Sequence, residues 1–185
     1  MDKKKTVALY GGSFDPPHVG HEAVVQALEK LEALDKVIIM PTFLNPFKEN
    51  FTAPAENRLQ WLKKIFASYE KVEVSSFEVD KKRKVPTIET VRYLLKDFHK
   101  IYLVLGADNL ASLEQWYKYD ELKDLVEFLI ITRDDIEVPE HFSKLEVKVD
   151  VASSTLRNDL DISKLPKQCA AEIAQYYKEH NAKKN

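Results

Sequence analysis

Short apolar runs alternate along the chain with stretches whose apolar residues recur at helical spacing. The runs 7–10, 36–40, 71–74, 101–105 and 127–131 predict strands, and the shorter, alternating 145–149 predicts a strand nearer an edge. Between them, Ala23, Val24, Ala27, Leu28 and Leu31 lay a stripe along a helix over 19–34, and Leu59, Leu62, Ile65 and Phe66 along one over 56–68. Ile88, Val91, Leu94 and Leu95 do the same over 87–96, where Thr87 is placed as N-cap or first-turn residue. Residues 108–116, 120–125 and 153–160 predict shorter helices. A last helix covers 166–180, with Pro166 near its first turn, Cys169, Ile173 and Tyr176 or Tyr177 inward, and 181–185 frayed. The stretches 42–53 and 80–86 predict loops, the first long enough to carry function and the second charged.

This alternation of strand and helix is the pattern of an open parallel α/β sheet. The expected fold is therefore a Rossmann-like, three-layer α/β/α domain over 1–185, in which 150–185 form a C-terminal helical part. The nearly all-apolar run 101–105 belongs at the centre of such a sheet. Open parallel sheets bind ligands at the carboxyl ends of their strands, which directs attention to the residues after the first, second, fourth and fifth runs.

Composition narrows the partners. With 44% hydrophobic and 31% charged residues over 185 positions, the chain reads as one ordinary globular domain. Lys plus Arg number 28 against 30 Asp plus Glu, so it lacks the basic excess of a dedicated nucleic-acid binder, and no nucleic-acid partner is expected. Lys81-Lys82-Arg83-Lys84, without interleaved aromatics, reads as a solvated tip. No apolar run reaches membrane-spanning length and no signal-peptide core follows Lys3-Lys4-Lys5, so no membrane partner and a cytoplasmic location are expected. A single cysteine, Cys169, excludes a disulfide framework and reads as a buried thiol. The four glycines are Gly11, Gly12, Gly20 and Gly106, and three of them fall within ten residues after the first strand, where they are expected to turn the backbone sharply.

That region reads Gly11-Gly12-Ser13-Phe14-Asp15-Pro16-Pro17-His18-Val19-Gly20-His21. It has neither the spaced glycines of a dinucleotide fingerprint nor the Gly-Lys-Ser/Thr of a P-loop. His18 and His21 stand three apart at a helix start and share a face, with Gly20 between them leaving room for a ligand. Helix-terminal N–H groups and the helix dipole favour an anion there, so the two imidazoles read as phosphate ligands. Taken singly, each histidine could instead be a cap or a satisfied core residue. A zinc pair lacks a third ligand at suitable spacing. Ser153-Ser154-Thr155-Leu156-Arg157 has similar chemistry: hydroxyls and N–H groups at a helix start with a guanidinium in its first turns, against the plainer reading of a serine cap beside an exposed arginine.

The segment Gly11 to His21 resembles the hallmark of the HxGH nucleotidyltransferase superfamily, in the fuller form found in bacterial nicotinate mononucleotide adenylyltransferases. Ser153-Ser154-Thr155-Leu156-Arg157 resembles the superfamily's second hallmark. Pro41 to Lys48 followed by Arg58, Val85-Pro86-Thr87, Gly106-Ala107-Asp108 followed by Trp116, and Ile130-Ile131-Thr132-Arg133 resemble further segments of that family. This chain departs from them at Thr42, Asn45, Phe47, Pro86 and Asp134-Asp135.

The resemblance implies adenylyl transfer from ATP to nicotinate mononucleotide in NAD biosynthesis, giving the deamido dinucleotide and pyrophosphate. It implies that His18, His21, Arg157 and Lys48 are catalytic. ATP would be bound by Gly11, Gly12, Ser13, Phe14, Gly20, Gly106, Asp108, Arg133, Ser153, Ser154 and Thr155. The mononucleotide would be bound by Asp15, Thr87, Trp116 and Lys48. Mg²⁺ is expected to arrive with ATP, with no metal ligand from the protein, and a homo-oligomer is left open. The alternatives are transfer to nicotinamide mononucleotide or phosphopantetheine, a cytidylyltransferase, and a nucleotide-sensing or RNA-binding protein on the same fold.

Overall fold

The computed structural model describes residues 5–132, 136–148 and 150–184. Six strands form one sheet: β1 (Lys5–Gly12), β2 (Lys36–Pro41), β3 (Val72–Val74), β4 (Phe98–Gly106), β5 (Glu127–Thr132) and β6 (Ser143–Glu146). Their order is β3-β2-β1-β4-β5-β6 and every pairing is parallel. The helices are α1 (Val19–Glu29), α2 (Ala55–Ile65), α3 (Phe77–Lys81), α4 (Thr87–Leu94), α5 (Tyr119–Leu125), α6 (Ser153–Asn158) and α7 (Ala170–Lys184), with 3₁₀ helices at Ala107–Gln115 and Ile162–Lys164.

The period of two along each strand sorts side chains to opposite faces of the sheet. Val7, Leu9, Ile101, Leu103 and Leu105 pack against Ile88, Val91 and Leu94 of α4 and Leu122 of α5. Ala8, Val37, Val104 and Leu129 pack on the other side against Val24 and Leu28 of α1. Ile39 and Val25 join that second side to Trp61, Leu62 and Ile65 of α2 and Ile173, Ala174 and Tyr177 of α7. The result is the expected α/β/α arrangement, with β1 and β4 at its centre.

Several local expectations are corrected. The helix over 19–34 stops at Glu29, and two short turns (Leu31 N–H to Leu28 O, Leu34 N–H to Leu31 O) carry the chain to β2. Residues 80–86 are not all loop, because α3 occupies Phe77–Lys81. The segment after β4 is wound as 3₁₀ rather than α. The last helix begins at Ala170, not at Pro166, and continues to Lys184 rather than fraying at 181. The glycines after the first strand do not make the turn: Gly11 and Gly12 lie inside β1, paired with Met40 and Pro41, and no described glycine has positive φ. Phe14, with φ of 50°, and a cis Asp15–Pro16 bond make the turn instead.

Candidate active site

The order of the sheet reverses between β1 and β4, since the chain moves outward from β1 through β2 to β3 and then returns to β4. Crevices at the carboxyl ends of strands at such a point take ligands. Here the crevice is a cavity of about 350 Å³. It is lined by the strand ends Leu9–Gly12 and Leu103–Gly106, by Gly20 and His21 of α1, and by Thr87, Trp116, Asn45 and Phe47. Gly11 and Gly12 thus lie on the cavity lining, and a Cβ at Gly12 would meet the Phe14 ring at 3.4 Å.

His18 and His21 are a reciprocal cap on α1. Gly20 N–H donates to His18 Nδ1 at 3.0 Å and His21 N–H at 3.4 Å, while His18 N–H donates to His21 Nδ1 at 3.1 Å. This is a capping box built from two imidazoles. Because each Nδ1 accepts, each neutral ring carries its proton on Nε2. The rings stack with centroids 3.7 Å apart, and His21 is held on its other side by the edge of Phe14 at 4.8 Å. Capping and phosphate binding are thus compatible uses of the same side chains. The helix N–H groups of Gly20 and His21, expected to meet an anion directly, donate to His18 instead. His18, 2% exposed, does not line the cavity, whereas His21 does. Gly20 is also reinterpreted, since a Cβ there would meet the His18 ring at 2.8 Å and Val151 Cγ1 at 2.9 Å. Its bareness admits the capping imidazole as much as any ligand.

The second motif docks onto the first. Ser153 Oγ donates to Pro16 O at 2.9 Å and Arg157 Nη1 to Asp15 O at 2.8 Å, across 137 and 142 residues of sequence. Ala152, not a serine, stands at the cap of α6, and it offers no side-chain cap. Ser154 and Thr155 are exposed. The remaining guanidinium N–H groups of Arg157 make no protein hydrogen bond among the described residues. Lys48, although exposed by area, is held below the usual lysine range by the desolvating protein around it and, next, by the charge of Arg157. Two cations near each other beside the histidine turn form a place where a polyanion relieves their repulsion.

The side chains of Asp15 and Phe14 are committed to the protein interior. Both are buried and neither lines the cavity. The Asp15 carboxylate accepts from Thr52 N–H at 2.7 Å, Ala53 N–H at 2.9 Å and the Tyr177 hydroxyl. Burial and then the neighbouring Asp15 charge push the Tyr177 phenol above its ordinary range, so it remains a donor. Phe14 belongs to the core with Trp61 and Tyr177. Ser13 likewise is absent from the cavity wall, and its carbonyl accepts from Arg58. Arg133 lies outside the described residues.

On the opposite wall Asp108 is exposed and lines the cavity. Its carboxylate folds back over Gly106, where an added Cβ would meet Oδ1 at 2.5 Å. Trp116 is half-buried, with the Phe47 ring 6.4 Å away. Its Nε1 and the Thr42 Oγ1, both on cavity-lining residues, are buried without a partner among the described residues.

One residue of the site, Glu78, went unrecognised in the sequence, and a second, Arg58, was marked only by the resemblance. Arg58, 1% exposed, donates to Ala53 O, Ser13 O, Thr42 O and Phe43 O at 2.6–2.9 Å and so ties loop 42–53 to the histidine turn. Its signal was a charge on the buried stripe of a helix, in step with Leu62 and Ile65. Glu78 of α3 is 6% exposed, lines the cavity, and accepts from Thr90 Oγ1 at 2.6 Å. No periodicity distinguished it.

Ser153, Ser154, Thr155, Arg157 and Lys48 do not line the cavity itself. A parallel sheet with a switch-point cleft, a histidine cap at its rim and a basic second motif docked on that cap is the arrangement of a nucleotidyltransferase. The chain belongs to the cytidylyltransferase-like family, whose model matches residues 9–159, and within it to the nicotinate-nucleotide adenylyltransferases. A Sulfurimonas denitrificans protein named "Probable nicotinate-nucleotide adenylyltransferase" is 57% identical over 96% of this chain and 98% of its own length. One of the same name from Campylobacter fetus is 44% identical over 96% and 99%. Among solved structures, Plasmodium falciparum nicotinic acid mononucleotide adenylyltransferase complexed with NaAD superposes with a TM-score of 0.75 at 20% identity, covering 94% of this chain and 98% of that one. It shares the fold. Among the described residues, no helix is long and apolar enough to cross a membrane.

Proposed function

We propose that the protein transfers the adenylyl group of ATP to nicotinate mononucleotide, releasing pyrophosphate and deamido-NAD. The observation that carries this reading is the single cleft whose wall includes His21 of the imidazole pair together with Trp116 and Thr87. The names of the full-length relatives supply the acceptor.

In this reading an oxygen of the mononucleotide phosphate forms a bond to the α-phosphorus of ATP while the bond to the β-phosphate bridging oxygen breaks. The attacking oxygen is already anionic, so no general base is needed. Catalysis is alignment plus stabilisation of charge on the transferring phosphorus. His21 and His18 donate from Nε2 to the phosphate oxygens, and Lys48 and Arg157 offset the triphosphate charge. Ser154 and Thr155 lie at the triphosphate side, and Gly11, Gly12 and Gly106 let the nucleotide approach the sheet. Mg²⁺ enters as part of the MgATP substrate. Asp108 accepts from a ribose hydroxyl, and Trp116 stacks on the pyridinium ring, where dispersion adds to cation–π attraction.

Incubation with MgATP and a panel of phosphorylated acceptors tests the whole assignment: pyrophosphate release is expected with nicotinate mononucleotide, and release only with phosphopantetheine would overturn it. Two substitutions test its halves. Trp116→Ala is expected to raise KM for the mononucleotide about tenfold, as loss of about 1–2 kcal/mol of stacking implies, with little change for ATP. Mononucleotide quenching of fluorescence should disappear with it, and quenching that persists unchanged puts the ring elsewhere. Arg157→Ala is expected to raise KM for ATP more than for the mononucleotide. Equal effects on both would remove Arg157 from the triphosphate.

A further inference from the structure

Glu78 is a carboxyl group in a place where the reaction chemistry does not ask for one. It sits on α3 and lines the cleft beside Val85, Pro86 and Thr87, the segment that leads into α4. Its one hydrogen bond is the 2.6 Å donation from Thr90 Oγ1. No basic side chain pairs with it among the described residues. Lys81, on the same helix, lies over the Phe77 ring, and Asp80 accepts from Ser76. On α4, Glu89 is bound to Arg83 at 2.6 Å and adds a weak repulsion. Arg58 of α2 is committed to four carbonyls, and β2 contributes the apolar Met40 to this part of the cleft. Across the cavity, the remaining acid and imidazole on its wall are Asp108 and His21.

A ligand carboxylate brought against this wall meets an acid with no counter-ion. Pro86 has no N–H to soften the encounter. If Glu78 is ionised, two anions face each other where burial has already stripped most solvent from one of them. If it is protonated, its O–H donates to the ligand carboxylate. A carboxamide reverses the preference, because its NH₂ donates to an ionised Glu78. Burial pushes the Glu78 carboxyl up to about 7, with the Thr90 hydrogen bond opposing the rise.

Resting on the adenylyl-transfer reading above, we infer that Glu78 is a specificity-determining residue: by the proton it carries, it sets whether the ring held near Trp116 and Thr87 bears a carboxylate or a carboxamide. The acid is the preferred acceptor on the acidic side of neutrality, and the amide gains as Glu78 ionises.

The test is the ratio of kcat/KM for nicotinate mononucleotide to that for nicotinamide mononucleotide, with the same MgATP, from about pH 6 to about pH 8.5. Ionisation of the acceptor phosphate is common to both and cancels in the ratio. The wild-type ratio is expected to fall about tenfold or more across that range, as a like-charge contact in a poorly solvated site implies. Glu78→Gln, neutral and of the same shape, is expected to hold a high ratio independent of pH. Thr90→Val, which removes the hydrogen bond that favours the anion, is expected to move the midpoint to higher pH and so reports even if Glu78→Gln folds poorly. A flat wild-type ratio, or a Glu78→Gln slope equal to wild type, overturns the role of Glu78 while turnover itself stands. Absence of pyrophosphate release from either mononucleotide at every pH overturns the adenylyl-transfer reading and the inference with it.

Discussion

Replacing His21 by alanine is expected to lower kcat about 100-fold, the effect of losing about 3 kcal/mol of hydrogen bonding to a charge that develops in the transition state. The ring lines the cleft, and its Nε2 proton is fixed by the hydrogen bond that its Nδ1 accepts from His18 N–H. The same substitution removes half of a capping box, so about 1 kcal/mol of stability should go with it. His21→Asn separates the two roles: an amide oxygen can take the place of Nδ1 as acceptor, but nothing replaces Nε2. Recovery of the melting temperature without recovery of kcat is the expected pattern. A loss below threefold in a natively folded alanine variant would remove His21 from the chemistry. His18→Ala should slow turnover comparably and destabilise more, since that ring is buried and accepts from two helix N–H groups.

Arg58→Met is expected to cost about 3–5 kcal/mol of folding free energy, the largest single stability effect in the site. The guanidinium satisfies the carbonyls of Ser13, Thr42, Phe43 and Ala53, and its removal leaves them without that donor in a buried setting. Arg58→Lys should recover only a part, because one ammonium cannot match a planar fork that bonds in several directions. Urea unfolding at neutral pH measures both. A change below about 1 kcal/mol for Arg58→Met would show that the two loops hold each other without it.

The fold was legible because a parallel sheet writes itself as apolar runs separated by helical stripes. Ile101 to Leu105 is buried by helices on both faces and reads as continuous apolar sequence. Helix α3 was not legible: five residues are too few to show a period, and Glu78 within it looks like any surface acid. The motif residues were legible as a group but not in their division of labour. Asp15 and Phe14 sit in the same eleven-residue run as His21, and only tertiary packing reveals that their side chains turn away from the cleft into Tyr177 and Trp61. The glycines misled for a related reason. Composition marks where side chains are missing, but not whether the vacancy serves a turn, a strand or a neighbouring ring, and here Gly11 and Gly12 continue β1 into the cavity lining while Gly20 admits an imidazole.

The carboxylate of Asp15 is tied to backbone 37 and 38 residues downstream and to a hydroxyl 162 residues away. Contacts of that sequence separation carry a loop-closure entropy that the assembled fold must offset. The histidine turn therefore depends for its shape on both loop 42–53 and α7 being docked. A partly folded chain carries the whole motif in its covalent structure and still lacks the geometry that aligns a phosphate, so catalytic competence marks the completion of folding rather than an intermediate on the way to it.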